Sequence, residues 1–300
     1  MSNFELSVSG SYIREKSTTL LNSPEGEFLV KFWGVRGLIA TPGSNTSRYG
    51  GNTACVEIHV GGKRLIFDGG TGLRILGKTW QQLQQPVEAH LFFTNCQSNR
   101  IQGFPFFAPA FIGENCFHIY GTAASNGASI KQCLYDQMLQ PHFPYPLQVM
   151  QSELQFYNLT LDSDVRLDDV IITTALINQT QRSVGYRVTW QEYSVAYITD
   201  LNPNAEQIER DQILQFIKGV DLLIANATYT PPTSHNHDCA DLLWQAAMNT
   251  ALSAGVQGLA ISHHHPDDHD DFLDQVQVDI KSAFSQALLA REGLVLAIDK

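Results

Sequence analysis

The sequence is poor in charged residues, and basic residues are the scarcer kind. Only 16% of its 300 residues are charged, with 19 lysines and arginines against 30 aspartates and glutamates, which gives a formal net charge of −11. Broad binding to nucleic acid or to an anionic membrane requires basic patches that neutralise phosphates. We therefore expect neither kind of partner, although net charge alone does not exclude a local basic groove.

Cysteine and long apolar runs are scarce as well. The five cysteines are scattered and form no Cys-x-x-Cys pair, which argues against a disulfide framework and against a thiolate zinc site. No apolar run is long enough to span a bilayer. The N-terminus shows no apolar core of a secretory signal. Together these absences predict a soluble, cytoplasmic protein.

What the sequence does have is a large apolar fraction divided into short stretches. Hydrophobic residues make up 43% of the chain, enough for a sizeable core. Residues 1–27 are polar and lack periodicity, which predicts a loosely packed leader, and residues 28–300 are predicted to form a single domain. Short apolar segments punctuated by glycine predict β-strands, and "VGGK" at residues 60–63 predicts a hairpin turn.

Helical spacing of apolar residues recurs between the predicted strands. The predicted helices cover residues 72–85, 128–140, 204–219, 239–255 and 269–292. The third, over residues 204–219, is predicted to start at a cap-like Asn-Pro-Asn stretch at residues 202–204. Residues 294–298 predict a last strand. Two strand-rich halves, each followed by helices, favour two packed sheets with helices outside.

Several stretches, taken in order, resemble the metallo-β-lactamase superfamily, and in particular its branch of tRNA 3′-processing endonucleases and small phosphodiesterases. The similar stretches include "FWGVRG", "RYGGNTACVEI", "IFDGGTGLRILG", "IQGFPFFAPAF", "YITDLNP" and "SHHHPDDHDDFL". The resemblance spans nearly the whole chain. It implies an α/β (α+β) fold, an αββα four-layer sandwich of two mixed β-sheets flanked by helices, with the site at the edge where the sheets meet.

The same resemblance implies that the metal motif of the family is degenerate in this chain. The family's HxHxDH sequence follows a strand that ends at Thr94 here, and its ligand positions correspond to Asn95, Gln97, Asn99 and Arg100. The remaining site positions correspond to Gln179 in place of a histidine, the retained Asp200, His263 (or His264 if the loop shifts by one) and the non-ligand His237.

This set of residues is unsuited to a binuclear metal centre. A catalytic zinc ion needs three protein ligands and an open position, and amides are poor ligands for such metals. We expect no catalytic residues and no cofactor at this vestigial site. Instead, Arg100 and Asp200 are predicted to form an ion pair, because Asp200 would otherwise be a buried, unpaired carboxylate. The amides of Asn95, Gln97, Asn99 and Gln179 are expected to surround that pair.

Two residues beside the motif allow more than one interpretation. Asp68 in "FDGGTG" is expected to hold the glycine turn through side-chain to backbone bonds rather than to take part in catalysis. Cys96 is expected to be a partly buried, unreactive thiol, with a role as nucleophile as the alternative.

Two functions of different class are consistent with the sequence. The first is a metal-free pseudoenzyme that acts by binding an unidentified protein or a small anion drawn to Arg100 and Asp200, with a homodimer expected by analogy to the family. The alternative is a metal-dependent, phosphodiesterase-like hydrolase with zinc or manganese at a relocated mononuclear site. The donors of that site would come from His235, His237, His263, His264, His265 and His269.

Overall fold

Two β-sheets face each other across an apolar core, with helices on their outer faces. The structure is a computed structural model that describes residues 12–16, 26–83, 85–161, 164–202, 205–226 and 240–299. No helix in this described part of the chain is long and apolar enough to cross a membrane.

The first sheet is mixed and has eight strands. In chain order they are β1 (Tyr12–Glu15), β2 (Leu29–Gly34), β3 (Cys55–Val60), β4 (Lys63–Phe67), β5 (Glu88–Phe92), β6 (Cys116–Gly121), β7 (Glu153–Asn158) and β15 (Val295–Asp299). Their order across the sheet is β1-β15-β2-β3-β4-β5-β6-β7. The strands β4 to β7 are parallel, and the other pairs are antiparallel.

The second sheet is also mixed and has seven strands. They are β8 (Asp164–Leu167), β9 (Val170–Asn178), β10 (Ser183–Trp190), β11 (Tyr193–Ile198), β12 (Leu222–Asn226), β13 (Gly258–Ser262) and β14 (Ala287–Leu289). Their order across the sheet is β14-β13-β12-β11-β10-β9-β8. The strands β11 to β14 are parallel and the remainder antiparallel.

Six helices complete the described layers. They are α1 (Thr71–Trp80), α2 (Ser98–Ile101), α3 (Ile130–Asp136), α4 (Gln207–Phe216), α5 (Ala240–Ala254) and α6 (Asp270–Ala283). Leu76 of α1 and Leu134 of α3 pack into one core cluster with Leu91 of the first sheet. Apolar residues of α4, α5 and α6 form a second cluster with strands of the second sheet. The predicted αββα sandwich is therefore confirmed.

A third core cluster lies between the sheets and joins them through aromatic rings. The Phe67 ring lies 5.4 Å from Phe92, 5.5 Å from Tyr186 and 5.6 Å from Tyr197, measured between ring centroids. The first two residues belong to the first sheet and the two tyrosines to the second. Burial of each large apolar side chain stabilises the fold by roughly 1.5–3 kcal/mol. This cluster fixes the separation of the two strand edges at which the candidate site lies.

The predicted hairpin turn is present between β3 and β4. Val60 pairs with Lys63, and the two residues between them, Gly61 and Gly62, have φ angles of 55° and 71°. Positive φ at both central positions is the geometry of the two-residue turns that suit the twist of a hairpin. Glycine adopts it without the steric cost that a Cβ atom would add.

Four of the five predicted helices have other boundaries than expected. The helices predicted over residues 72–85 and 128–140 end at Trp80 and Asp136. The helix predicted over residues 269–292 ends at Ala283, because Ala287–Leu289 pairs with β13 as strand β14. The helix predicted over residues 204–219 has Glu206 as its N-cap instead of the Asn-Pro-Asn stretch. Glu206 and Glu209 form a reciprocal capping box there, which satisfies two backbone N–H groups that the helix itself leaves unpaired.

The N-terminal leader contains one element that the sequence did not indicate. Tyr12–Glu15 forms strand β1, which pairs antiparallel with β15 at the edge of the first sheet. The division of the chain into a leader of residues 1–27 and a domain of residues 28–300 stays a prediction.

Candidate functional site

Three ionisable side chains lie just after strands at one edge of the sandwich. Asp68 comes after β4, Asp200 after β11 and His263 after β13. Ligands of α/β proteins commonly bind beyond the carboxyl ends of parallel strands. All three residues have left-handed backbone conformations, with φ angles of 60°, 62° and 60° respectively. This conformation is uncommon for residues other than glycine and is concentrated at functional sites.

Arg100 of α2 lies at the point where these three side chains meet. Its Nη1 is 3.1 Å from Asp68 Oδ2 and its Nη2 is 3.0 Å from Asp200 Oδ1. Nη1 also donates to His263 Nε2. The Arg100 side chain is only 2% exposed, and burial opposes its charge, but the two carboxylates raise its pKa above the usual range. Arg100 is therefore a permanent buried cation, and the predicted Arg100–Asp200 ion pair is confirmed.

Two close backbone approaches hold α2 in this position. A Cβ atom on Gly70 would lie 2.5 Å from the carbonyl oxygen of Asn99, and one on Gly103 would lie 1.9 Å from the carbonyl oxygen of Gly70. Both glycines are therefore required for α2 to pack against the turn after β4. The Gly69 N–H donates to the Arg100 carbonyl oxygen at 2.6 Å, which fixes the backbone of the arginine that fills the site.

Asp68 was predicted to hold the glycine turn that follows it, but its side chain bonds to residues outside that turn. Its carboxylate accepts hydrogen bonds from the Thr94 N–H at 2.9 Å, the Thr94 hydroxyl at 2.8 Å and the Tyr197 hydroxyl at 2.9 Å. Burial raises the pKa of Asp68, and Arg100 together with these donors opposes that rise. Instead of closing its own turn, Asp68 links β5, β11 and α2, and it is the second carboxylate partner of Arg100.

Asp200 is held by short polar side chains as well as by Arg100. Its Oδ2 accepts from Asn95 Nδ2 at 2.8 Å and from the Ser183 hydroxyl at 2.7 Å. The Asn178 amide donates to the Asp200 carbonyl oxygen at 2.9 Å. The sequence interpretation included Asn95 but missed Asn178 and Ser183, which have no counterpart in the family motif.

The predicted amide surround of the ion pair is only partly realised. Gln97 is exposed, and its side-chain amide donates to Gln181 at 3.3 Å instead of to the ion pair. Gln179 is exposed on the turn between β9 and β10. Asn99 is buried on α2, where its carbonyl oxygen abuts Gly70. The neighbouring Asn178 is the residue of this turn that reaches Asp200, through the backbone carbonyl oxygen.

The histidines proposed for a relocated metal site are separated where the structure describes them. His263 Nε2 faces Arg100, and burial followed by Arg100 lowers the His263 pKa well below its ordinary value, so the ring is neutral. The other described histidines of this group each have a partner of their own. His264 contacts the Ala290 carbonyl oxygen at 2.7 Å, and His265 accepts from the Asp267 N–H at 3.2 Å. His269 contacts the Asn45 side-chain amide at 2.9 Å. His235 and His237 lie outside the described residues.

The thiol beside the site is chemically quiet. Cys96 is half-buried in the loop after β5, and burial, followed by the neighbouring Cys133, raises its pKa well above the ordinary value. Because the thiolate is the nucleophilic form, a raised pKa makes a nucleophilic role unfavourable. The interpretation of Cys96 as an unreactive thiol is the one that the geometry supports.

The residues at this edge do not fit a binuclear metal centre. Asp68, Asp200 and His263 all engage one guanidinium, so a metal ion bound by them would lie within a few ångströms of a fixed positive charge. Like charges at such a separation in a buried site repel strongly. The other positions of the motif hold amides, which are poor first-row metal ligands.

Comparison with known structures identifies the fold. The structure matches the metallo-β-lactamase fold protein YhfI from Bacillus subtilis with a TM-score of 0.63 and 19% identity. The match covers 91% of this chain and 99% of that one. It matches a diphosphatase of the PhnP family with a TM-score of 0.64 and 13% identity, over 89% and 96% of the two chains. It matches the short form of human tRNase Z with a TM-score of 0.63 and 16% identity, over 91% and 100%.

The chain has the metallo-β-lactamase fold. No family model and no curated protein match the sequence. Since the identities are below 20%, the likeness concerns the arrangement of the chain. Within this metallo-β-lactamase fold, the network around Arg100 occupies the edge at which the resemblance placed the site.

Proposed function

We propose that this protein is a catalytically degenerate member of the metallo-β-lactamase fold that acts by binding a partner. One observation carries the proposal: the Arg100 guanidinium lies within hydrogen-bond distance of Asp68, Asp200 and His263. The positive charge that a metal ion would bring to these side chains is thus supplied by the chain itself.

An arginine in this position cannot replace the chemistry of a metal ion. Metallohydrolases use the bound ion to lower the pKa of a water molecule and to stabilise charge that develops on the substrate. A guanidinium has no open coordination position and does not lose its proton in proteins. With its side chain 2% exposed and paired with two carboxylates, Arg100 also lacks the accessible surface that a small anionic ligand would need.

A protein partner is therefore the form of the binding proposal that the geometry favours. The short segment of residues 104–111 after α2 exposes Phe106, which is 54% exposed and whose ring lies 5.5 Å from that of Phe143. Tyr145 nearby in the chain is 62% exposed. Exposed aromatic residues are enriched at protein interfaces. A homodimer is the assembly expected, and light scattering on the purified protein measures it directly.

The decisive experiment measures hydrolysis together with its dependence on Asp200. The purified protein is incubated with bis(4-nitrophenyl) phosphate after dialysis against zinc or manganese, with and without a chelator. We expect no hydrolysis above the rate of the metal-containing buffer, and no difference between the wild type and Asp200→Asn. Chelator-sensitive hydrolysis that Asp200→Asn abolishes would overturn the proposal.

The alternative hydrolase with a relocated metal in the histidine-rich loops receives less support. Its four described histidines each have a separate partner. The same hydrolysis assay tests it through the double variant His265→Gln/His269→Gln, which removes two donors of those loops and leaves the Arg100 network intact. Chelator-sensitive hydrolysis lost in this double variant, and kept in Asp200→Asn, would favour the alternative.

A further inference from the structure

A second group of potential metal ligands lies at the opposite end of β5. Glu88 and His90 point to one face of this strand, because residues two apart in a strand share a face. His118 of the parallel neighbour β6 pairs in register with His90. One ligand atom from each of the three side chains lies within 4.8 Å of the others, and in the described part of the chain this is the only such group.

The two imidazole rings are stacked, and each has a hydroxyl oxygen near its Nδ1 atom. Their centroids are 4.6 Å apart and their planes differ by 13°. The Nδ1 atom of His90 is 3.4 Å from the Tyr120 hydroxyl, and the Nδ1 atom of His118 is 3.4 Å from the Tyr157 hydroxyl. A ligating histidine usually donates its other ring N–H to such an oxygen, which fixes the tautomer and the ring orientation. The Nδ1 contacts with tyrosine leave Nε2 as the nitrogen of each ring that a metal ion would bind. In His118 this Nε2 donates a hydrogen bond to Glu88 in the absence of metal, and the ion would displace that proton.

The Nε2 side of the cluster also holds the carboxylate and a thiol. His118 Nε2 lies 2.9 Å from Glu88 Oε1 and 3.7 Å from Cys116 Sγ. The Glu88 side chain is 68% exposed, and an ion can reach the cluster from solvent on that side.

We infer that Glu88, His90 and His118 bind one transition-metal ion, with Zn²⁺ as the best fit. Two imidazoles and one carboxylate are a recognised zinc donor set that leaves a fourth position for water. Bonds of about 2.0–2.2 Å to a tetrahedral ion hold the ligand atoms roughly 3.5 Å apart. Glu88 Oε1, now 2.9 Å from His118 Nε2, has to move away from that nitrogen as the ion enters, which rotation of the exposed Glu88 side chain allows. The two rings, whose centroids are 4.6 Å apart, have to tilt so that their ligand nitrogens converge.

Such an ion would join β5 to β6 beyond their backbone hydrogen bonds. The site is independent of the proposed loss of metallohydrolase chemistry, because it shares no residue with the network around Arg100. Without a metal, the same contacts amount to a hydrogen-bonded Glu88–His118 pair. The two interpretations differ in whether the purified chain competes for zinc.

The test is a zinc titration of the full-length protein against a chromophoric chelator at neutral pH. We expect one equivalent to bind. His118→Gln and Glu88→Gln should weaken binding by more than the roughly 10- to 100-fold that loss of an outer partner costs. Tyr157→Phe, which removes only the partner of His118 Nδ1, should weaken it roughly 10-fold. His142→Gln changes an exposed histidine outside the cluster and should leave the affinity unchanged.

The outcomes separate this site from the one at Arg100. The inference would be overturned if the wild type did not bind zinc, or if His118→Gln and Glu88→Gln bound it as tightly as the wild type. Circular dichroism shows whether each variant is folded. If His118→Gln does not fold, Glu88→Gln still provides the test, because its side chain is exposed. Zinc binding that is lost in Asp200→Asn but kept in His118→Gln would contradict both this inference and the proposed function. Hydrolysis that depends on Asp200, with zinc binding that still depends on His118, would contradict only the proposed function.

Discussion

The polar side chains at the two ends of β5 differ in their exposure to solvent. After its carboxyl end, the Arg100 guanidinium pairs with Asp68 and Asp200 in a network that is almost closed to solvent. At its amino end, the Nδ1 atoms of His90 and His118 contact tyrosines, and the Nε2 atom of His118 contacts the exposed side chain of Glu88. We infer from the comparison that capacity for a ligand depends on whether the present partners of the ligand atoms can move aside. The number of histidines and carboxylates in a loop is a poor guide to it.

The largest effect is expected from removing the cation of the closed network. Arg100→Met leaves two buried carboxylates without a counter-charge, and breaking a buried pair in this way costs about 3–5 kcal/mol. Urea unfolding at neutral pH measures the loss. Arg48→Met is the matched control, since Arg48 pairs with Asp271 and Asp274 at the surface and should hardly matter. A stable Arg100→Met variant would show that the network does not need its cation.

Acid sensitivity should arise in part from the same edge of the molecule. Burial lowers the pKa of His264 to about 4 from an ordinary value of 6.5, so the unfolded chain binds a proton there that the folded chain does not. The contribution of the neutral His264 ring to the free energy of unfolding is complete above pH 6.5 and is lost as the pH falls towards 4. The difference amounts to roughly 3 kcal/mol.

The corresponding measurement is the free energy of unfolding between these two pH values. His264→Gln should lower the stability at neutral pH and flatten the dependence on pH below it. The exposed His142→Gln variant should keep the slope of the wild type. An unchanged slope in His264→Gln would mean that this ring is not the source of the acid sensitivity.

A smaller effect is expected from a neutral partner of Asp200. Ser183 is fully buried and donates to Asp200 at 2.7 Å. Hydrogen bonds to charged groups contribute about 1.5–3 kcal/mol, so Ser183→Ala should lower stability by that amount in urea unfolding. Ser47→Ala removes an exposed hydroxyl that donates to the Ser44 carbonyl oxygen and serves as the control. Equal stability of both variants would imply that Arg100 alone neutralises Asp200.

The smallest effect is expected at the open end of β5. With the Glu88 side chain 68% exposed, Glu88→Gln should change the stability of the metal-free protein by no more than about 0.5 kcal/mol. Zinc should raise the thermal midpoint of the wild type, because a ligand that binds only the folded state stabilises it, and should not raise that of the variant. A zinc-induced rise of equal size in both proteins would remove Glu88 from the site.

The sequence predicted much of the fold and one half of the Arg100 network. The β3–β4 hairpin and the helix ending at Ala254 follow from local signals, namely paired glycines and helical spacing before Gly255. The ion pair between Arg100 and Asp200 was predictable because a buried carboxylate needs a counter-charge. Asp68 as its second partner was not, since that contact depends on how closely α2 packs on the turn at Gly70.

The cluster on β5 and β6 was missed for a related reason. The strands "EAHLF" and "CFHIY" each carry a histidine at the third position, and that shared position was the available signal. It becomes a contact only when the two strands are adjacent, parallel and in register. Strand order and register are set by the packing of the whole sheet, and a single sequence with no clear turn between the two strands does not determine them.

The double pairing of Arg100 makes this site intolerant of single substitutions. Arg100→His removes one cation and leaves two buried carboxylates repelling each other, while the amides of Asn95 and Gln97 are poor ligands for any metal ion that could take its place. A metal centre could therefore be engineered at this edge only by changing several positions together. Replacement of Arg100 would have to accompany each of the other changes.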